Sequence, residues 1–199
     1  HELRTPLTLL LGPVRTLLHE NRLTEKQTRL LRLAQRSGDQ LNQLVTDILD
    51  LGKLELGKLE PDARPTQLAA FFRHHFAQFE SLAESRGLAY AFEVDVPEPV
   101  TANLDQAKCR QILNNLLANA FKFTPAGGRI AARLTLAEGC LHLVVADTGP
   151  GIHPDDLPRL FDRYFQTTRP DKPAEGGTGI GLALCREYAQ LLGGRIGVE

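Results

Sequence analysis

The sequence predicts two units. An all-α helical hairpin, half of a dimeric four-helix bundle, spans residues 1–57; an α+β two-layer sandwich spans residues 58–199, its C-terminal end truncated. Three observations predict this. Leucine, valine and isoleucine recur at three- and four-residue spacing in two runs before residue 57, the period of a helix buried on one face. Gly57 and the stretch from Pro61 to Pro65 then break the pattern. Beyond them, alternating runs interleave with helical ones, as in a sheet covered on one face by helices. With 199 residues, 42% of them hydrophobic, the chain can build both cores.

Residues 1 to about 20 carry Leu3, Leu7, Leu10, Leu11, Val14, Leu17 and Leu18 on a helical period, with bends expected at Pro6 and Pro13. Glu20 to Thr24 reads as a turn, and Thr24-Glu25-Lys26-Gln27 as a capping box opening a second helix. That helix carries Leu30, Ala34, Leu41, Leu44, Val45, Ile48, Leu51 and Leu54. A hairpin alone cannot bury so wide an apolar stripe, and self-association is the simplest solution; packing on the rest of the chain is the alternative.

In the second unit, Thr66 to about Arg86 reads as a helix, and Leu88–Val96 and Val100–Leu104 as strands. Asp105 is placed to cap a helix running to about Phe123. Arg129–Leu136 and Leu141–Ala146 form two strands joined at Glu138-Gly139. A helix from about Gly179 to Leu192 and a strand from Gly194 complete the order.

Composition excludes several classes. A net charge of −1 supplies no basic field for nucleic acid. Cys109, Cys140 and Cys185 are odd in number and lack ligand spacing, which suggests reduced thiols in a cytosolic setting. No apolar run reaches membrane-span length and no signal peptide is present. The start at His1 without Met reads as a fragment, leaving an upstream membrane segment open.

Five short segments hold chemistry. His1-Glu2 places a carboxylate beside an imidazole that is mostly neutral near pH 7, one turn before Pro6; the acid can orient the ring and accept its proton during attack. An unperturbed surface histidine is the plain alternative. Asn115, Asn119 and Lys122 share one helix face at i, i+4 and i+7. Amide oxygens suit Mg²⁺ and the lysine suits a phosphate, although a solvated polar face has the same pattern. Asp147-Thr148-Gly149-Pro150-Gly151 follows an apolar strand. Its carboxylate can accept from an exocyclic amine such as that of adenine, yet the run is first of all a turn. Leu160 to Gln166 is an aromatic cluster followed by a polar stretch that reads as a lid or as ordinary core and loop. Gly176-Gly177-Thr178-Gly179-Ile180-Gly181 opens a helix, where free N–H groups can bind phosphate, or a glycine-rich loop can stand empty.

In this order the five segments resemble the H, N, G1, F and G2 boxes of two-component sensor histidine kinases, including the kinase part of hybrid sensors, over essentially the whole chain. The resemblance implies a dimerisation and phosphotransfer hairpin followed by a Bergerat-type (GHKL) ATP-binding domain. By position, His1 resembles the phosphoacceptor, Glu2 the acid that activates it, and Thr5 the polar residue that helps dephosphorylate the partner. Asn119 resembles the Mg²⁺-binding asparagine, with Asn115 one turn before it. Lys122 matches the residue facing the ATP phosphates and Phe123 the ring near the adenine. Asp147 resembles the adenine-binding aspartate, with Gly149 and Gly151 shaping its turn. Gly177, Thr178, Gly179 and Gly181 resemble the phosphate loop. The resemblance further implies ATP and Mg²⁺ as ligands, a homodimer, a response-regulator receiver domain as partner, and a cytoplasmic kinase core, membrane-anchored in some full-length forms. Related gyrase- and Hsp90-type ATPases place a glutamate where Asn115 stands, and Asn cannot act as a base. A nucleotide-binding scaffold without phosphotransfer is the non-enzymatic alternative.

Overall fold

The computed structural model describes residues 4–18, 23–167 and 178–199, excepting the side chains of residues 4–9 and 36. The chain separates into His1–Leu59 and Glu60–Glu199.

In the first unit, α1 (Arg4–Leu18) carries Pro13 inside it, and α2 spans Glu25–Glu55. Pro6 lies within α1, but Glu2, whose carbonyl the expected bend at Pro6 would free, is outside the described residues. The capping box is formed. The Thr24 N–H donates to Gln27 Oε1 at 2.9 Å, and the Gln27 N–H returns to Thr24 Oγ1 at 3.3 Å. Two orphan N–H groups are thereby satisfied, which fixes where α2 begins. The helices are antiparallel: Leu18 shares a cleft with Arg32, while Leu11 lies so close over Gly38 that a Cβ there would stand 2.4 Å from Leu11 Cδ2. Arg15 pairs with Asp39 at 2.7 Å.

The second unit contains a three-stranded mixed sheet ordered β2–β4–β5. Strand β2 (Ala89–Asp95) is parallel to β4 (Arg129–Ala137), and β4 is antiparallel to β5 (Cys140–Asp147). Helices α3 (Leu68–Ala77), α4 (Glu80–Arg86) and α5 (Gln106–Phe123) contribute to the core. Alternation decides the inner face: Ile130, Ala132 and Leu134 of β4 are buried against Phe72, Phe76, Leu113, Leu117 and Phe121. Aromatic rings tie sheet to helices, with Phe76 to Phe92 and Phe79 to Phe121 both at 5.5 Å between centroids. The Tyr90 hydroxyl donates to the Phe76 carbonyl at 3.1 Å.

Three readings are corrected. The helix expected over Thr66 to Arg86 is a strand and two helices. Residues Arg64–Gln67 form β1, antiparallel to β3 (Thr101–Leu104), because Pro65 favours extended backbone and buried Thr66 accepts from Gln106 Nε2 at 2.9 Å. The helical run then breaks at Gln78-Phe79, where Phe79 stacks on Phe121. The strand expected from Gly194 is not formed; Gly194 and Gly197 weaken a short run that has no ladder partner. The last helix, α6 (Gly181–Leu191), starts two residues late because Gly179 is left-handed, with φ +66. Among the described residues no helix is long and apolar enough to cross a membrane.

Candidate functional site

Helix α5 is the base of the site. Nearly buried Asp105 starts it, accepting from the Lys108 N–H at 3.0 Å and from the Asp62 N–H at 2.9 Å. Leu113, Leu117, Ala120 and Phe121 bury one face, which leaves Asn115, Asn119 and Lys122 half-buried on another. At the C-terminal end, Thr124 returns to the Ala120 carbonyl through both its N–H, at 3.0 Å, and its hydroxyl, at 2.6 Å. Arg86 Nη1 donates to the Phe121 carbonyl at 2.8 Å. The Lys122 ammonium lies 4.7 Å from the centroid of the exposed Phe123 ring.

Asp147 ends β5 opposite Ile130. Its Oδ1 accepts from the Gly149 N–H at 2.7 Å, so one carboxylate oxygen holds the turn and the second remains for an amine donor. A Cβ at Gly149 would stand 2.6 Å from Asp147 Oδ1 and 3.0 Å from the Phe123 carbonyl oxygen. Glycine is therefore required there, and the turn lies directly against the end of α5. Thr148, which sequence reasoning passed over, pins the turn to β4: its N–H donates to the Arg129 carbonyl at 3.0 Å and its Oγ1 accepts from the Arg129 N–H at 2.9 Å. A hydroxyl directly after the strand-end aspartate was the available signal.

At the opposite side, α6 buries Ala183, Leu184, Cys185 and Tyr188. The Lys108 ammonium of α5 lies 4.6 Å over the Tyr188 ring. Asn115 Nδ2 donates to the Gly181 carbonyl at 3.4 Å, and a Cβ at Gly181 would approach Asn115 Oδ1 to 3.0 Å. Thr178 Oγ1 accepts from the Ile180 N–H at 3.2 Å. Between these segments Arg159 covers the Phe165 ring at 4.8 Å, and Tyr164 is left-handed at φ +63.

The structure thus brings Asn115 to Gly181, and the Phe123 backbone to Gly149 in the turn that Asp147 holds, around one helix. His1, Glu2 and Gly177 lie outside the described residues. Thr5 belongs to α1, with its side chain outside them. Among the described residues no group of three or more His, Cys, Asp or Glu side chains could hold a metal. A cation at this site would rely on amide oxygens completed by ligand phosphates, a hard-oxygen set that fits Mg²⁺.

Two family patterns match the chain. Residues 1–57 match the His Kinase A phospho-acceptor domain, and residues 104–199 match the histidine kinase-, DNA gyrase B-, and HSP90-like ATPase family. The aerobic respiration control sensor protein ArcB homolog of Haemophilus influenzae is 35% identical over 97% of this chain and 58% of its own length. ArcB of Escherichia coli is 38% identical over the whole chain and 25% of its own length. The chain therefore spans less than two thirds of these curated relatives. Among solved structures, full-length ShkA in complex with AMPPNP has a TM-score of 0.73 at 33% identity, covering 97% of this chain and 40% of that one. The Acinetobacter baumannii histidine kinase AdeS has a TM-score of 0.62 at 25% identity, covering 96% and 86%.

Proposed function

The chain belongs to the histidine kinases, and from that premise we propose that it binds ATP with Mg²⁺, transfers the γ-phosphoryl group to His1, and passes it to an aspartate on a response-regulator receiver domain. The observation that carries this reading is the convergence of Asn115, the Asp147–Gly149 turn and the Gly179–Gly181 segment against α5.

Asp147 would accept from the adenine amine through the carboxylate oxygen that Gly149 leaves available. Phe123 would pack near the base, held beside Lys122 by their cation–π contact. Lys122 and the N–H groups of Thr178, Gly179 and Gly181, together with Gly177, would hold the phosphates. Asn119, with Asn115, would hold Mg²⁺, which supplies charge neutralisation of the phosphoryl oxygens when bound. An imidazole nitrogen of His1 attacks the γ-phosphorus, the bond to the β–γ bridging oxygen breaks, and ADP leaves. Glu2 takes the ring proton that the phosphorylated imidazole gives up. Thr5 would position water for the reverse, dephosphorylating reaction on the regulator. The hairpin would act as a homodimer, which covers its exposed leucines. We place this core in the cytoplasm beside its regulator.

Incubation with γ-labelled ATP tests the reading. Wild type is expected to acquire an acid-labile, base-stable label, and His1→Gln none. Equal label in both proteins would remove His1 as acceptor; free phosphate without label would indicate an ATPase.

A further inference from the structure

Two left-handed residues meet backbone to backbone beside the candidate site. Tyr164 has φ +63 and Gly179 has φ +66, and the Tyr164 N–H donates to the Gly179 carbonyl at 2.9 Å. A Cβ on Gly179 would stand 2.6 Å from the Tyr164 carbonyl carbon, 2.8 Å from its Cα and 2.9 Å from the Phe165 carbonyl oxygen. Backbone cannot swing aside as a side-chain tip can, so this contact alone demands glycine at 179.

The conformation of Tyr164 is costly for a bulky residue. Burial of its ring does not explain it, because the residue is 66% exposed. Its neighbours do explain how it is held. Arg163 reaches Glu187 of α6 at 4.0 Å, and Arg159 covers Phe165 at 4.8 Å. The chain on either side of Tyr164 is thus tied down, and the hydrogen bond to Gly179 closes the junction. From Gly179 the path is short: Gly181 opens α6 and its carbonyl receives Asn115 of α5. One line of contacts runs from the aromatic segment, through the glycine turn, to the helix bearing Asn119 and Lys122.

We propose that Tyr164 is a positioning residue whose left-handed backbone docks Gly179 and thereby sets the opening of α6 for the nucleotide phosphates. This rests on the nucleotide reading above. Gly179 is a glycine on two counts: Tyr164 occupies the space of its Cβ, and its φ of +66 strains any other side chain. Gly181 answers to a different neighbour, Asn115. The tyrosine ring itself is dispensable: what acts is an N–H presented at positive φ.

Two measurements test this. The first needs no nucleotide: amide hydrogen exchange at residue 164. Protection is expected in wild type and in Tyr164→Gly, which keeps the N–H and adopts positive φ freely. Loss of protection is expected in Gly179→Ala. Wild-type exchange as fast as an unstructured amide would overturn the dock. The second is calorimetric titration with Mg²⁺ and AMPPNP. Tyr164→Gly is expected to stay within about twofold of wild type, while Gly179→Ala and Tyr164→Pro, which lacks the N–H, lose about tenfold (about 1.4 kcal/mol). Tyr164→Gly added to Gly179→Ala is expected to restore part of that loss, because the flexible partner can move from the new Cβ. In phosphotransfer, Tyr164→Pro is expected to raise KM for ATP with kcat at saturation nearly unchanged. A folded Tyr164→Pro or Gly179→Ala protein, judged by an unchanged melt, that binds AMPPNP as wild type does would overturn the positioning role. A wild-type chain that binds no nucleotide overturns the nucleotide reading and the positioning role with it, while the exchange data still decide whether the dock exists.

Discussion

The two units solve burial in opposite ways. The ATPase-like unit buries its largest apolar side chains within itself, and Phe76, Leu113, Leu117, Leu134 and Leu184 are fully inaccessible. In the hairpin, the buried apolar side chains among the described residues are Leu11 and Leu51, whereas Leu10, Leu30, Leu33, Leu41, Ile48 and Leu56 are exposed. Single exposed leucines mean little, but rows of them on a helix are surface awaiting a partner. The difference teaches that one unit closes its core by its own packing, whereas the other would need the proposed homodimer to cover its leucines.

The largest expected effect tests the self-sufficient unit. Leu134→Ala removes a fully buried side chain from the centre of the sheet and should cost about 2–5 kcal/mol. Near-ultraviolet circular dichroism, which reads the Phe and Tyr rings, all of them beyond residue 59, should show the second unit melting early while far-ultraviolet circular dichroism retains the hairpin's helicity. A common shift of both transitions would mean that the units are not independent. Next, Leu41→Asp combined with Ile48→Asp should weaken self-association at least tenfold, or about 1.4 kcal/mol, by sedimentation equilibrium, with the second unit's melt unmoved. Unchanged association would place the dimer contact elsewhere.

Helix caps sharpen the contrast on a smaller scale. Thr24 and Asp105 both cap helices, one exposed and one nearly buried, and Asp105 also holds the Asp62 N–H. Thr24→Ala should cost about 1 kcal/mol, whereas Asp105→Ala should approach or exceed about 2 kcal/mol because two donors are left with poor access to water. Equal losses in denaturant titrations would show that burial adds nothing to the cap.

The smallest effect concerns the thiols. Burial, with the nearby Asp105 charge second, pushes Cys109 up to about 12, while Cys140 is exposed at the β4–β5 turn. Iodoacetamide near pH 8 should therefore modify Cys140 in the folded chain and leave Cys109 and buried Cys185 untouched. Between the ordinary thiol value of 9.0 and about 12 the folded chain holds a proton that the unfolded chain has released. Stability should then fall as pH rises through that window, and Cys109→Ala should reduce the slope.

Helix α5 and strands β4 and β5 were legible in the sequence because each is long enough to show its own period and is bounded by a capping aspartate or a Glu-Gly turn. The approach of Asn115 to the glycine helix, and of Asp147 to Gly149, was legible as grouped residue types. Strand β1 was not, because its four residues include a proline and owe their conformation to β3, far along the chain. The terminal strand was misread for the reverse reason: alternation without a ladder partner forms nothing. Thr148 and Tyr164 escaped because a hydroxyl clamp and a positive φ leave no periodic trace; both are made by residues distant in sequence.

The exposed Tyr164 has an optical consequence. The chain contains no tryptophan and three tyrosines. Tyr188 is wholly inaccessible beneath the Lys108 ammonium, and Tyr90 is half-buried with its hydroxyl bonded to the Phe76 carbonyl. Ultraviolet emission is therefore all tyrosine, and a quencher carried in water, such as acrylamide, meets Tyr164 first. The junction between the aromatic segment and the glycine helix carries its own light source, readable without any attached dye.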